Sequence, residues 1–134
     1  MISKYSIAVL PFVNMSSDKE NEYFSDGITE EILNALSKIE GLHVTARTSS
    51  FFFKNKNIDI REIGQKLNVA LILEGSIRKS SNIVRITAQL TKTADGFHVW
   101  SETCDRELKN IFLVQDEIAA NIAEKINKDI ELNK

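Results

Sequence analysis

The stretch Val69-Ala-Leu-Ile-Leu-Glu-Gly-Ser-Ile-Arg78 decides the fold. Val69 to Leu73 is an unbroken apolar run, which reads as a central strand covered on both faces. The strand continues toward Arg78. Glu74 interrupts it just before Gly75, and a charge there must sit at a strand end, be paired, or be solvated. Arg78, Arg85 and Arg106 are the candidate partners. Downstream, Ser80-Ser-Asn82 is a turn signal. Val84, Ile86, Ala88 and Leu90 then alternate with Arg85, Thr87, Gln89 and Thr91, the pattern of a half-exposed antiparallel strand. Asp95-Gly96 marks a second tight turn. Phe97 to Cys104 follows as the fifth strand, and Trp100 alternates with Val99, so the two are expected on opposite faces. Ile111, Val114, Ile118, Ile122, Ile126 and Ile130 define a long final helix whose stripe drifts around the axis. Its last turns, with Lys125, Lys128, Asp129, Glu131 and Lys134, are expected to extend beyond the sheet.

Upstream, Asp59 and Glu62 resemble a capping box with Asp in place of Ser or Thr. Ile60, Ile63 and Leu67 supply the buried face of a short helix. Arg47 to Asn57 reads as irregular. Leu42-His-Val-Thr-Ala46 reads as a strand, preceded by Gly41 as a helix C-cap. Phe24, Ile28, Ile32, Leu36 and Ile39 recur at helical spacing. Asn14 to Asn21 is polar and loop-like. Ile7 to Leu10 is another central strand, ending at Pro11, where a missing N–H is tolerated. Strand, helix, strand in that order predicts a right-handed parallel crossover. The whole reads β-α-β-α-β-β-β-α: an α/β domain over residues 1–134, with a mixed five-stranded sheet and about three helices.

The composition is that of a soluble globular protein. Of 134 residues, 43% are hydrophobic and 27% charged, enough for one core. The net charge of −2 supplies no global field for nucleic acid or an anionic membrane. The lone Cys104 allows no internal disulfide. No apolar run reaches the roughly 18 residues of a membrane span, so no membrane insertion is expected within the chain. Met1-Ile-Ser-Lys-Tyr5 lacks the apolar core of a signal peptide.

The motifs of chemistry are missing: there is no Gly-x-Gly-x-x-Gly, no Walker loop, no His-Glu-x-x-His and no Gly-x-Ser-x-Gly. One Cys and two His at unsuitable spacing make a poor zinc set. Cys104 and His98 share a strand, six residues and about 20 Å apart, and cannot form a nucleophilic pair. Asp26 and Glu30, four apart on one helix, could hold a cation or work as an acid–base pair, but negative charge near a helix N-terminus explains them more simply. Arg47-Thr-Ser-Ser-Phe-Phe-Phe-Lys-Asn-Lys56 interleaves aromatics with cations, which suits base stacking; pinning of the loop to the core by Phe is the stronger reading. Glu74, Arg78, Glu102, Asp105 and Arg106 fall on neighbouring strands, as a salt-bridged network or a recognition surface. No catalytic residue, cofactor or metal is expected.

Four phrases carry a resemblance: Ser6-Ile-Ala-Val-Leu-Pro-Phe12, Tyr23-Phe-Ser-Asp-Gly-Ile-Thr-Glu-Glu31, Leu73-Glu-Gly-Ser-Ile-Arg78 and His98-Val-Trp-Ser-Glu-Thr-Cys-Asp-Arg106. Shorter ones, such as Ala46-Arg-Thr-Ser-Ser-Phe51 and Gln115-Asp-Glu-Ile-Ala119, extend it from Ser6 to Ile126. Together they resemble the TolB-amino-terminal-like (FlgO-like) domain, and depart from it at Phe52-Phe53, Lys54-Asn55 and Cys104. The resemblance implies an α/β fold related to anticodon-binding-like domains, with no assigned catalytic residue. It implies a non-enzymatic sensory or docking module of a longer bacterial protein, beside cyclase, tetratricopeptide or winged-helix regions, on either side of a membrane. The expected interaction surface draws on Arg47, Phe51, Phe52, Lys54, Glu74, Arg78, Trp100, Glu102, Asp105 and Arg106. A protein partner or a second copy is the first expectation for it. A nucleotide or metabolite near Glu74, Arg78 and Arg106 is the second, and single-stranded nucleic acid at Phe51 to Lys56 a weaker third.

Overall fold

The computed structural model describes residues 3–16 and 19–132. Met1 and Ile2 of the start, Ser17 and Asp18 of the expected loop, and Lys134 of the final helix lie outside them. The first apolar run forms β1 (Ser6–Val9), buried at every position. A short β2 follows (Val13–Asn14), then α1 (Lys19–Ser37), β3 (His43–Val44), α2 (Arg47–Phe51) and α3 (Ile60–Leu67). The chain ends in β4 (Leu71–Ser80), β5 (Ile83–Lys92), β6 (His98–Glu107) and α4 (Ile111–Leu132).

The sheet runs β3-β1-β4-β5-β6, with β2 paired to the far half of β4. β1 is parallel to both β3 and β4, whereas β4, β5 and β6 form an antiparallel meander. The α/β class and the mixed sheet are as the sequence predicts. The structure adds a sixth strand and a fourth helix. Pro11 breaks β1 without ending its path: Leu10 N–H donates to the Leu73 carbonyl at 2.9 Å, and Met15 N–H reaches Ile77 at 2.8 Å. The chain therefore resumes along β4 as β2. The segment expected to be irregular from Arg47 begins with the single helical turn of α2.

Helices α1 and α4 cover one face. Phe24, Ile28, Ile32 and Leu36 of α1 and Val114, Ile118, Ile122, Ile126 and Ile130 of α4 are buried with Leu73, Ile77, Ile86 and Leu90 in one cluster. Because Ile130 is buried, α4 stays on the core nearly to its end, contrary to the expected overhang; Ile111, expected at the head of the stripe, is exposed instead. Gly75 is required on this face. A Cβ there would lie 2.3 Å from the Thr87 carbonyl oxygen and 2.5 Å from the Phe12 ring. The second face is covered only in part. Phe53 and Ile63 pack on Ala8, Val69 and Ile72 in a smaller cluster, and the outer halves of β4, β5 and β6 are left bare.

At α3 Asp59 acts as the N-cap, but among the described residues Glu62 does not return a hydrogen bond to it, so the expected capping box is only half formed. The Asp59 carboxylate accepts from Arg61 N–H at 2.8 Å, and Asn68 closes the helix in the left-handed conformation at φ 58°. Gly41 has φ 85°, beyond a turn that follows the end of α1.

Candidate functional site

On the bare face, side chains of β4 and β5 stand in register: Glu74 opposite Gln89, and Ser76 opposite Thr87. Cross-strand neighbours lie about 5 Å apart at Cβ, so the four make a polar floor. The turn from Phe53 to Ile58 and the start of α3 rise beside it. Between them is a groove of about 510 Å³, walled by Leu10, Pro11, Phe53, Ile58 and Ile60. Glu74 is half-buried, and among the described residues no side-chain hydrogen bond or ion pair reaches it. Burial pushes its carboxyl above the usual range, opposed by nearby His98.

The arginines expected to neutralise Glu74 are engaged elsewhere or point away. Arg85 forms a two-pronged pair with Asp105 at 2.8 and 3.1 Å, holding the Asp105 carboxyl below its usual range. Arg106 pairs with Val84 across β5–β6 on the helical face, where it lies 4.0 Å from Glu117. Glu102, on that same face, meets Lys125 of α4 at 3.0 Å. Arg78 is exposed beside Arg85. The expected five-residue network is therefore split across the sheet: Glu74, Arg78 and Asp105 on one face, Glu102 and Arg106 on the other.

The Arg47–Lys56 segment is clamped to α1. Arg47 pairs with Glu30, and its guanidinium stacks 4.1 Å from the Phe51 ring centre. Lys54 bridges Glu22 at 2.9 Å and Asp26 at 2.8 Å. The hydrogen bond to Asp26 first, then that to Glu22, holds the Lys54 ammonium above its usual range. Asp26 and Glu30 are thus not a free carboxylate pair; each holds a cation of this segment. Phe53 is buried in the core and Phe52 is 61% exposed, its ring 3.4 Å beneath Lys56 Nζ. A base-stacking platform needs several free rings and cations, and here one Phe is buried and Lys54 is committed to two carboxylates.

Trp100 packs on the main core, as does Val99. The two do not point to opposite faces: Leu90 pairs with Trp100 and Thr91 with His98, and this irregularity removes Val99 from the alternation. Cys104 is half-buried, which pushes its thiol above the usual range, as for an inert packing residue.

One surface escapes a reading by periodicity. At the first turn of α4, Ile111 is 53%, Phe112 78% and Leu113 55% exposed. Exposed Ile83 and Met15 lie at the same end of the sheet, where β5 starts and β2 finishes. The signal was present: three successive helical residues at about 100° each cannot all face one core. Among the described residues no group of His, Cys, Asp and Glu could hold a metal ion, and no helix is long and apolar enough to cross a membrane.

Residues 3–121 match the family described as HilA/YgeH-like transcriptional regulator, second domain. The chain belongs to that family. This HilA/YgeH-like second domain is also 52% identical over 120 residues to a protein of Rhizobium meliloti (strain 1021) named "Putative adenylate cyclase 3", covering 90% of the chain and 20% of that protein. The chain thus spans about a fifth of the length of this relative. Among solved structures, it is similar to lipoprotein GNA1162 of Neisseria meningitidis, with TM-score 0.66, 18% identity and coverage of 92% and 97% of the two chains. It is similar to TolB of Acinetobacter baumannii with TM-score 0.57 and 13% identity, over 90% of this chain and 28% of that one. At such identities the likeness is one of fold, and it is the TolB-like fold that the four phrases imply.

Proposed function

We propose that this HilA/YgeH-like second domain is a non-catalytic protein-interaction module, working within a longer bacterial signalling protein and relaying a signal to the output region beside it. The observation that carries this reading is the exposed apolar first turn of α4, formed by Ile111, Phe112 and Leu113. Successive exposed apolar side chains on one helical turn mark a contact surface in a globular domain, and aromatic anchors such as Phe112 contribute most when a partner desolvates them. The relatives support the same reading. One is named a transcriptional regulator and another a cyclase, so the shared domain is better suited to docking or sensing than to either output. The FlgO-like resemblance fits a docking role too.

The test uses the intact protein with Ile111→Asp and Phe112→Asp. Both side chains are more than half exposed, so folding stability should change by no more than about 0.5 kcal/mol each. Association, read by sedimentation velocity and by protection of the domain in limited proteolysis, should be lost. Wild-type sedimentation together with wild-type protection would refute the role of this end.

A further inference from the structure

The groove above Glu74 is independent of the apolar end and has its own chemistry. We propose that it binds a small amphipathic amine, with the ammonium on the Glu74 carboxylate and the apolar tail along Phe53, Ile58 and Ile60. Three features of the molecule converge on this ligand class. The volume of about 510 Å³ lies within the range of pockets that enclose small molecules. Leu10, Pro11, Phe53, Ile58 and Ile60 give it an apolar wall beneath a polar rim running from Lys54 to Asn57, and its floor carries Glu74, Ser76, Thr87 and Gln89, few polar groups placed close together. The charges also choose the sign of the ligand. Lys54, at the rim, is neutralised by Glu22 and Asp26, and Lys56 sits over the Phe52 ring. Lys56 keeps its charge at the exposed rim, whereas half-buried Glu74, with neither ion pair nor side-chain hydrogen bond among the described residues, is the unmatched charge on the groove floor. An anionic head would meet its carboxylate at short range, and a neutral head would leave it uncompensated. An ammonium supplies both the charge and three donors, which Glu74 and the side-chain oxygens of Gln89 and Thr87 can accept.

The experiment follows backbone amide signals of the 134-residue chain by NMR during titration with n-hexylamine, n-hexanol and hexanoate, three probes that share a tail and differ in head-group charge. Hexylamine should shift the amides of Glu74, Ser76, Thr87 and Gln89 saturably. Hexanol should bind at least tenfold more weakly and hexanoate should leave these amides in place. In Glu74→Gln the amine affinity should fall at least tenfold, with the remaining spectrum unchanged as the control for folding. Gln89→Ala, which removes one acceptor but keeps the carboxylate, should weaken amine binding by less than Glu74→Gln does, and a larger loss than in Glu74→Gln would also overturn the proposal. Absence of saturable shifts with hexylamine, equal binding of hexanoate, or full amine affinity in Glu74→Gln would each overturn the proposal.

Discussion

Lys54, in the segment after α2, donates to Asp26 of α1 at 2.8 Å, and the same ammonium reaches Glu22 at 2.9 Å. One cation thus ties the Arg47–Lys56 segment to the first helix across 28 residues of chain. The Lys54 and Asp26 side chains are only 26% and 24% exposed, so the contact is screened less than a surface pair. Lys54→Met should cost about 1–2 kcal/mol in urea denaturation, allowing for partial solvent exposure. The cost should depend on pH. The Lys54 hydrogen bond holds the Glu22 carboxyl below its ordinary range, so its contribution is present above the unfolded pKa and is lost as pH falls through the folded one. Lys54 is raised, so its share disappears only as pH climbs through its folded value, above the usual lysine range. The difference between wild type and Lys54→Met should therefore be flat near neutrality and shrink in acid. A difference that grows in acid would remove the assigned pairing.

Two glycines make a contrast that depends on what surrounds them. A Cβ on Gly75 meets the backbone oxygen of Thr87, which cannot move without opening the β4–β5 ladder, and the Phe12 ring, which is packed in the core. Gly75→Ala should cost at least about 3 kcal/mol or abolish folding. A Cβ on Gly27 meets Gln115 Nε2 at 2.2 Å, the far end of a side chain. Moving it sacrifices a 3.2 Å hydrogen bond to the Phe24 carbonyl, about 1 kcal/mol. Replacing glycine inside a helix returns about as much. Gly27→Ala should leave the melting temperature nearly unchanged, and equal costs at the two sites would contradict the packing described.

Most of the fold was legible because its strands and long helices carry strong periodicity: the Val69–Leu73 run, the Val84–Leu90 alternation and the α1 stripe all lie where the pattern puts them. β2 was not legible. Two residues carry no period, and its existence depends on β4 being long enough to offer Ser76 and Ile77 to Val13 and Asn14. The site was legible residue by residue but not as a site. Glu74 stands out in an apolar strand, yet whether Arg85 or Arg106 reaches it is decided by which face each occupies, and Arg85 is drawn instead to Asp105 directly across β5–β6. Arg47 and Lys54 read as a basic patch because their partners, Glu30 and Asp26, are far away in sequence.

Trp100 illustrates the same gap between residue type and placement. Its ring packs on the core, and its Nε1 is buried with no hydrogen-bond partner among the described residues. Such a donor imposes a desolvation cost of about 1–3 kcal/mol. Trp100→Phe loses ring area but also removes that donor, so the net change in stability should stay within about 1 kcal/mol. Trp100→Ala removes the same donor but also empties the site, and should cost about 2–3 kcal/mol for a half-buried ring. If Trp100→Phe were as damaging as Trp100→Ala, the indole N–H would have to be making a contact that the structure does not contain.

Glu74 gives a pH signature opposite in sign to that of Glu22. Burial raises its carboxyl above the ordinary range, so folding favours the protonated form relative to the unfolded chain. Its contribution to stability is full below the unfolded pKa and is lost as pH rises through the folded one. Facing it are His98 of β6, which acts against the shift, and Lys54 and Lys56 at the groove rim, both held by other contacts. Glu74→Gln carries no titrating group and keeps the shape. Its stability relative to wild type should therefore increase as pH climbs through the carboxylate range and then level off, in chemical denaturation repeated at each pH. The same ionisation that weakens the free domain creates the charge an ammonium would neutralise. Saturating hexylamine should accordingly stabilise wild type above that transition and do little below it. A Glu74→Gln advantage that falls as pH rises would mean the carboxylate is compensated inside the folded domain, and the groove would then have no charge left to offer a ligand.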